Sequence, residues 1–224
     1  MLEFNHRINI ITGHYGSGKT NFAVNLAVWL HQQGKKVTLV DLDIVNPYFR
    51  SADFKGEMED MGIRMVVPQF ANSNLDIPTL TSEVNISLFD KEATVIFDVG
   101  GDDAGATALG RYSAQIKADD YALLYVINSY RYLTRSPQEA IEILREIESA
   151  SRLTGTAIIN NSNLAYETRA QDILESIPYA QQAAQAAGLP VLCHSVEREL
   201  AESLKGQAEG IFPVDIYVKA PWSK

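Results

Sequence analysis

The stretch Gly13-His14-Tyr15-Gly16-Ser17-Gly18-Lys19-Thr20 fits the pattern G-x-x-x-x-G-K-[ST], and its setting constrains the fold more than any other feature of the chain. It joins an apolar run of strand character (Ile8, Ile10, Ile11) to one of helical spacing (Phe22, Ala23, Leu26, Ala27, Leu30). Glycines let backbone N–H groups turn inward around phosphate oxygens, and the helix that follows presents its partial positive N-terminus. In such a loop Lys19 neutralises the β- and γ-phosphates and the Thr20 hydroxyl reaches Mg²⁺. The whole turn from Gly13 to Asn21 is therefore the candidate phosphate cradle.

The rest of the chain alternates between short continuous apolar runs and helical periodicity. Strands are expected at 8–12, 36–41, 64–67, 93–98, 121–127, 156–160 and 190–195. Uninterrupted apolar strands are covered by helices on both faces, as in a parallel sheet. The expected architecture is α/β: three α/β/α layers around a mostly parallel, doubly wound sheet of about seven to eight strands. The clearest helix spans 136–149, where Ala140, Ile143, Leu144 and Ile147 share a face and Ser136-Pro137-Gln138-Glu139 forms a capping box with proline at the first helical position. A second runs from about Thr168 to Ala187, stopped by Gly188 and Pro190. The segment 46–90 is less regular, with Pro47, Pro68 and Pro78, and reads as loops with one or two short helices. With no repeat, low-complexity tract or linker, residues 1–224 read as a single P-loop domain.

Two further motifs carry carboxylates at strand ends. In "VDLDIVNPYFR" (40–50), Asp41 and Asp43 stand two apart and so share a side of the strand, at the end of the sheet where such folds bind ligands. One can support a metal-bound water while the other orients an attacking water; the alternative is that one of them caps the next turn. In "ATVIFDVGGDDAG" (93–105), Asp98 ends a buried strand ahead of Gly100 and Gly101. That suits a metal-assisting carboxylate and a backbone able to approach a γ-phosphate; the alternative is a strand-end turn residue.

The P-loop, the "DLD" after the second strand and the "FDVGG" after a later one, in this order, resemble the MinD/ParA-like (CobQ/CobB/MinD/ParA) branch of P-loop ATPases, in the class that also contains signal-recognition GTPases and the nitrogenase iron protein. "AIINNSN" (157–163) is similar to the strand end that faces adenine in the iron-protein relatives, and "LPVLCHSVERELAESLKGQ" (189–207) to their last strand, loop and helix. The resemblance implies that Lys19 contacts phosphate, Thr20 Mg²⁺, Asp41 the metal site, Asp43 the attacking water, Asp98 the metal as the Walker B carboxylate, Gly101 the γ-phosphate and Asn161 adenine. It also implies switch loops at 43–50, where Arg50 is a candidate charge stabiliser, and at 98–110. One departure stands out. The relatives carry a lysine after the first glycine that reaches a dimer partner's nucleotide; here that residue is His14.

Composition narrows the functions. A formal net charge of −9 argues against nucleic acid or an anionic membrane as partner. A single cysteine, Cys193, allows no internal disulfide and too few thiolates for a four-iron cluster, even in a symmetric dimer. His6, His14, His31 and His194 are scattered without metal-ligand spacing. The start of the chain carries no signal-peptide pattern and the C-terminal "IFPVDIYVKAPWSK" no basic amphipathic stripe, so a cytoplasmic protein is expected. The leading expectation is an ATP- and Mg²⁺-binding switch with ATPase activity that acts on a protein partner, with a homodimer as one implied assembly. The alternatives are a small-molecule kinase or ATP-dependent ligase-like enzyme, and a nucleotide sensor with negligible turnover.

Overall fold

Alternation of inward and outward side chains along parallel strands divides the interior in two. A computed structural model describes residues 4–43, 51–67, 76–101 and 103–218. Along the chain lie β1 (Ile8–Thr12), α1 (Lys19–Gln32), β2 (Lys36–Leu42), α2 (Lys55–Asp60), β3 (Arg64–Val66), α3 (Asp76–Phe89), β4 (Ala93–Val99), α4 (Asp103–Gly110) and α5 (Ser113–Lys117). They are followed by β5 (Tyr121–Ile127), α6 (Pro137–Ser151), β6 (Ala157–Asn160), α7 (Ala170–Ala187), β7 (Val191–Glu197), α8 (Arg198–Ser203) and β8 (Ile211–Val214). The strands form one sheet in the order β3-β2-β4-β1-β5-β6-β7-β8, and every neighbouring pair is parallel.

On one face Ile8, Ile10, Val95, Phe97, Leu123 and Tyr125 pack with Val84, Leu109, Leu144 and Ala180 from α3, α4, α6 and α7. On the other, Ile11, Leu39, Ile96, Leu124 and Val126 pack with Phe22, Leu26 and Leu30 of α1 and Met58 of α2. These are the three layers expected. Asp41 has the parity of Leu39, and Asp98 that of Ile96, so both carboxylates face the α1 layer.

The capping box of α6 forms as read: the Glu139 N–H donates to Ser136 Oγ at 3.2 Å, and the Ser136 N–H to Glu139 Oε2 at 2.9 Å. Gly188 closes α7 at φ 71°. The differences lie elsewhere. The edge strand β8 was not expected, and α3 runs for 14 residues through Pro78, which falls in its first turn where no intrahelical N–H is lost. Residues 44–50 of the first expected switch loop, Arg50 included, and Asp102 of the second lie outside the described residues.

Candidate functional site

β1 lies between β4 and β5, so its carboxyl end opens where the chain's connections diverge to the two sides of the sheet. The P-loop occupies this point. Gly18 takes the N-cap of α1 at φ 89°, offering no side-chain cap, and the first turn contains no acidic residue. The positive end of α1 is thus left to an external anion. Three glycines are sterically required. A Cβ on Gly13 would stand 2.3 Å from the Val126 carbonyl oxygen, and one on Gly18 2.1 Å from Asn161 Nδ2. A Cβ on Gly101 would meet the Tyr15 nitrogen at 2.6 Å and Lys19 Nζ at 2.8 Å. The backbone after β4 therefore presses against the P-loop and the lysine.

Lys19 is almost fully buried and donates from Nζ to the His14 carbonyl oxygen at 3.2 Å. The His14 ring is half-buried, and burial followed by the neighbouring Lys19 charge lowers its pKa, favouring the neutral imidazole. Ser17 Oγ is buried without a hydrogen-bond partner among the described residues, while Tyr15 and Thr20 stand at the surface of the loop.

Asp41 and Asp98 are register partners on the adjacent strands β2 and β4, both fully buried. Asp41 accepts from the Asp43 N–H at 2.9 Å through Oδ1 and from the Ala52 N–H at 3.0 Å through Oδ2. Burial, and then the Asp98 charge, push its pKa up to about 7 against these two donors. Among the described residues neither oxygen of Asp98 has a hydrogen-bond partner. Burial raises its pKa to about 6; Lys19 opposes this, as do the hydroxyls of Thr20 and Ser51, which stand near the carboxylate without meeting hydrogen-bond geometry. Asp43 follows β2 and is nearly buried. Two like charges side by side in a dry interior invite a counter-charge. Among the described residues no three His, Cys, Asp or Glu side chains cluster into a self-sufficient metal site. A Mg²⁺ ion, which takes one or two carboxylates and completes its shell with phosphate and water, fits this donor set better than a structural metal would.

Asn161 sits at the other side of the loop. Its Nδ2 donates to the Ser17 carbonyl at 2.7 Å and its backbone N–H to the Ile127 carbonyl at 2.9 Å. The turn bearing it is braced by Ser162 Oγ donating to Asn160 Oδ1 at 2.7 Å and by the Asn160–His194 side-chain contact at 2.9 Å. Asn21, by contrast, is turned toward the chain after β8: its Oδ1 accepts from the N–H groups of Tyr217 (2.9 Å) and Val218 (3.2 Å), and its Nδ2 donates to the Asp215 carbonyl at 3.1 Å. Sequence reasoning missed Arg131, whose Nε and Cζ would lie 3.6 and 3.7 Å from a Cβ on Gly16. No local pattern marks a lone arginine 115 residues beyond the loop it covers.

None of the curated proteins matches the chain. Among solved structures the fold is similar to that of FtsY from Mycoplasma mycoides, with 17% identity over 88% of this chain and 62% of that one and a TM-score of 0.55. Cell division protein FtsY from Thermotoga maritima gives 19%, 84%, 61% and 0.56, and the signal recognition particle 54 kDa protein from Aeropyrum pernix, a complex with GDP, 19%, 86%, 42% and 0.54. The chain spans less than two thirds of the length of these proteins, and at such identity the likeness establishes the fold. The family model described as the CobQ/CobB/MinD/ParA nucleotide binding domain matches residues 8–191, from the first residue of β1 to the first of β7. With the P-loop and two buried strand-end carboxylates inside that span, the chain belongs to the CobQ/CobB/MinD/ParA nucleotide-binding domain family.

Proposed function

We propose that the chain is a Mg²⁺-dependent ATPase that works as a single cytoplasmic domain and uses nucleotide state to act on a protein partner. The observation that carries this reading is the Asp98 carboxylate, buried with both oxygens unpartnered among the described residues, beside Asp41 and near Lys19 and Thr20. Such a group is costly unless a cation completes it. Thr20 and Asp98 would hold Mg²⁺, with Asp41 beside them orienting the backbone on either side of 44–51. When bound, the ion spreads the charge that develops on the transferred phosphoryl oxygens.

The chain's own residues then divide the work. The P-loop N–H groups and the N-terminus of α1 bind the phosphates, and Lys19 exchanges its contact with the His14 carbonyl for the β- and γ-oxygens. Gly101 brings backbone against the γ end, and Asp43 holds the attacking water. Adenine is favoured over guanine by Asn161. One Nδ2 hydrogen is used on Ser17, which leaves the second for purine N7 and Oδ1 for the adenine N6 amine. Guanine would set its O6 against that oxygen, and no carboxylate between Thr156 and Tyr166 answers its N1–H and N2–H₂ donors. A protein partner, a second copy of the chain among them, is supported by exposed apolar side chains on the loops around the site: Tyr15, Tyr132, Leu133, Leu164 and Tyr166.

The test is equilibrium binding of Mg·ATP and Mg·GTP, with single-turnover hydrolysis, for wild type, Lys19→Ala and Asp43→Asn. Lys19→Ala is expected to weaken ATP at least about 100-fold, and Asp43→Asn to retain binding while losing turnover. Unchanged ATP affinity in Lys19→Ala refutes the site.

A further inference from the structure

Arg131 follows β5, and its backbone is held from several directions. Its N–H donates to the Asn128 carbonyl at 3.1 Å and its carbonyl accepts from the Thr134 N–H at 3.1 Å. Thr134 Oγ1 donates to the Asn128 carbonyl at 2.7 Å, and the Ser129 N–H donates to Ser162 Oγ at 3.0 Å, tying this loop to the one that bears Asn161. The head of the side chain is treated in the opposite way. It is exposed and reaches across to Gly16, packing where a side chain would otherwise lie, yet among the described residues its guanidinium has no hydrogen bond or ion pair. Among the described residues Arg7, Arg64, Arg145 and Arg198 pair with carboxylates, while Arg111, Arg135, Arg152 and Arg169 do not; among the unpaired ones Arg131 lies against the P-loop glycine Gly16.

A fixed base and an unmatched head beside a phosphate cradle describe a cation waiting for an anion. The P-loop itself is short of charge at this point, because the environment of His14 favours its neutral form and Lys19 Nζ is held against Gly101 and the His14 carbonyl. We infer that Arg131 is a phosphate-contacting catalytic residue, supplying from within the same chain a second cation to the polyphosphate of the bound nucleotide. This rests on the reading that the P-loop holds a nucleoside triphosphate. Arginine suits the role because its planar fork can contact two phosphate oxygens and keeps its charge at any working pH.

The experiment compares wild type, Arg131→Ala, Arg131→Lys and Lys19→Ala. It measures the affinities for Mg·AMPPNP and Mg·ADP by calorimetry and the single-turnover hydrolysis of Mg·ATP. Arg131→Ala is expected to lower the AMPPNP-to-ADP affinity ratio or the single-turnover rate by about tenfold or more, with Arg131→Lys intermediate. A fall in the ratio places the contact in the bound state, and a fall in the rate alone places it in the transition state. Wild-type values for both in Arg131→Ala, while Lys19→Ala loses binding, overturn the role of Arg131 alone. Wild-type values in Lys19→Ala as well overturn the nucleotide site itself.

Discussion

Replacing Asp98 with asparagine is expected to stabilise the nucleotide-free protein near neutral pH, the reverse of what loss of a polar contact would do. The carboxyl is fully buried, its oxygens have no hydrogen-bond partner among the described residues, and Asp41 stands opposite it in the neighbouring strand. Its pKa rises from 3.8 to about 6, chiefly through burial. The folded state therefore holds its proton more tightly than the unfolded chain, so stability falls as pH rises from about 4 toward 6 and levels off above that. At 1.36 kcal/mol per pKa unit the ionised group costs about 3 kcal/mol at pH 7.5 and about half as much at pH 5. The asparagine put in its place would still bury an unpartnered amide, worth about 1–2 kcal/mol, so the clearest readout is the change with pH. In urea titrations with EDTA and no nucleotide, the stability of Asp98→Asn relative to wild type should improve by about 1–2 kcal/mol between pH 5 and pH 7.5. Mg·ATP should then stabilise wild type and do little for the variant. A variant whose stability follows the same pH curve as wild type refutes the reasoning.

Gly101→Ala should weaken Mg·ATP by about tenfold or more and lower stability by about 1–3 kcal/mol, because its Cβ would strike the Tyr15 backbone and Lys19 Nζ; calorimetric titration with a urea melt checks both. Tyr125→Phe should cost about 1 kcal/mol in urea unfolding, since the buried hydroxyl donates to the Ala140 carbonyl at 2.6 Å and phenylalanine removes that bond.

What could be read in advance depended on whether the physics was local. β1, the P-loop and α1 are specified by adjacent residues, and so are the α6 capping box and the Gly188 stop. The side-by-side placement of Asp41 and Asp98 came only with strand order, because 57 residues separate them and nothing in either motif states that β2 and β4 pair. β8 was missed because it is a four-residue edge strand containing Pro213, tolerable only where one side of the ladder is unpaired. Pro78 read as a breaker because its place in a first turn cannot be told without the helix boundary. Asn21 follows the motif so closely that it read as part of the cradle. Its partners, Asp215, Tyr217 and Val218, lie nearly 200 residues away.

The grip of Asp41 on two backbone groups also bears on loop entropy. Its two oxygens hold the N–H of Asp43 and that of Ala52, so one side chain joins the two ends of the intervening span like a drawstring. Closing a loop of this length costs conformational freedom that grows only slowly with the number of residues enclosed. The span could therefore differ in length between relatives at little thermodynamic cost, provided its two ends still meet at this carboxylate. Cutting the drawstring, by contrast, frees both ends together, so one side chain in the sheet's interior fixes both where the chain leaves β2 and where it returns at Ala52.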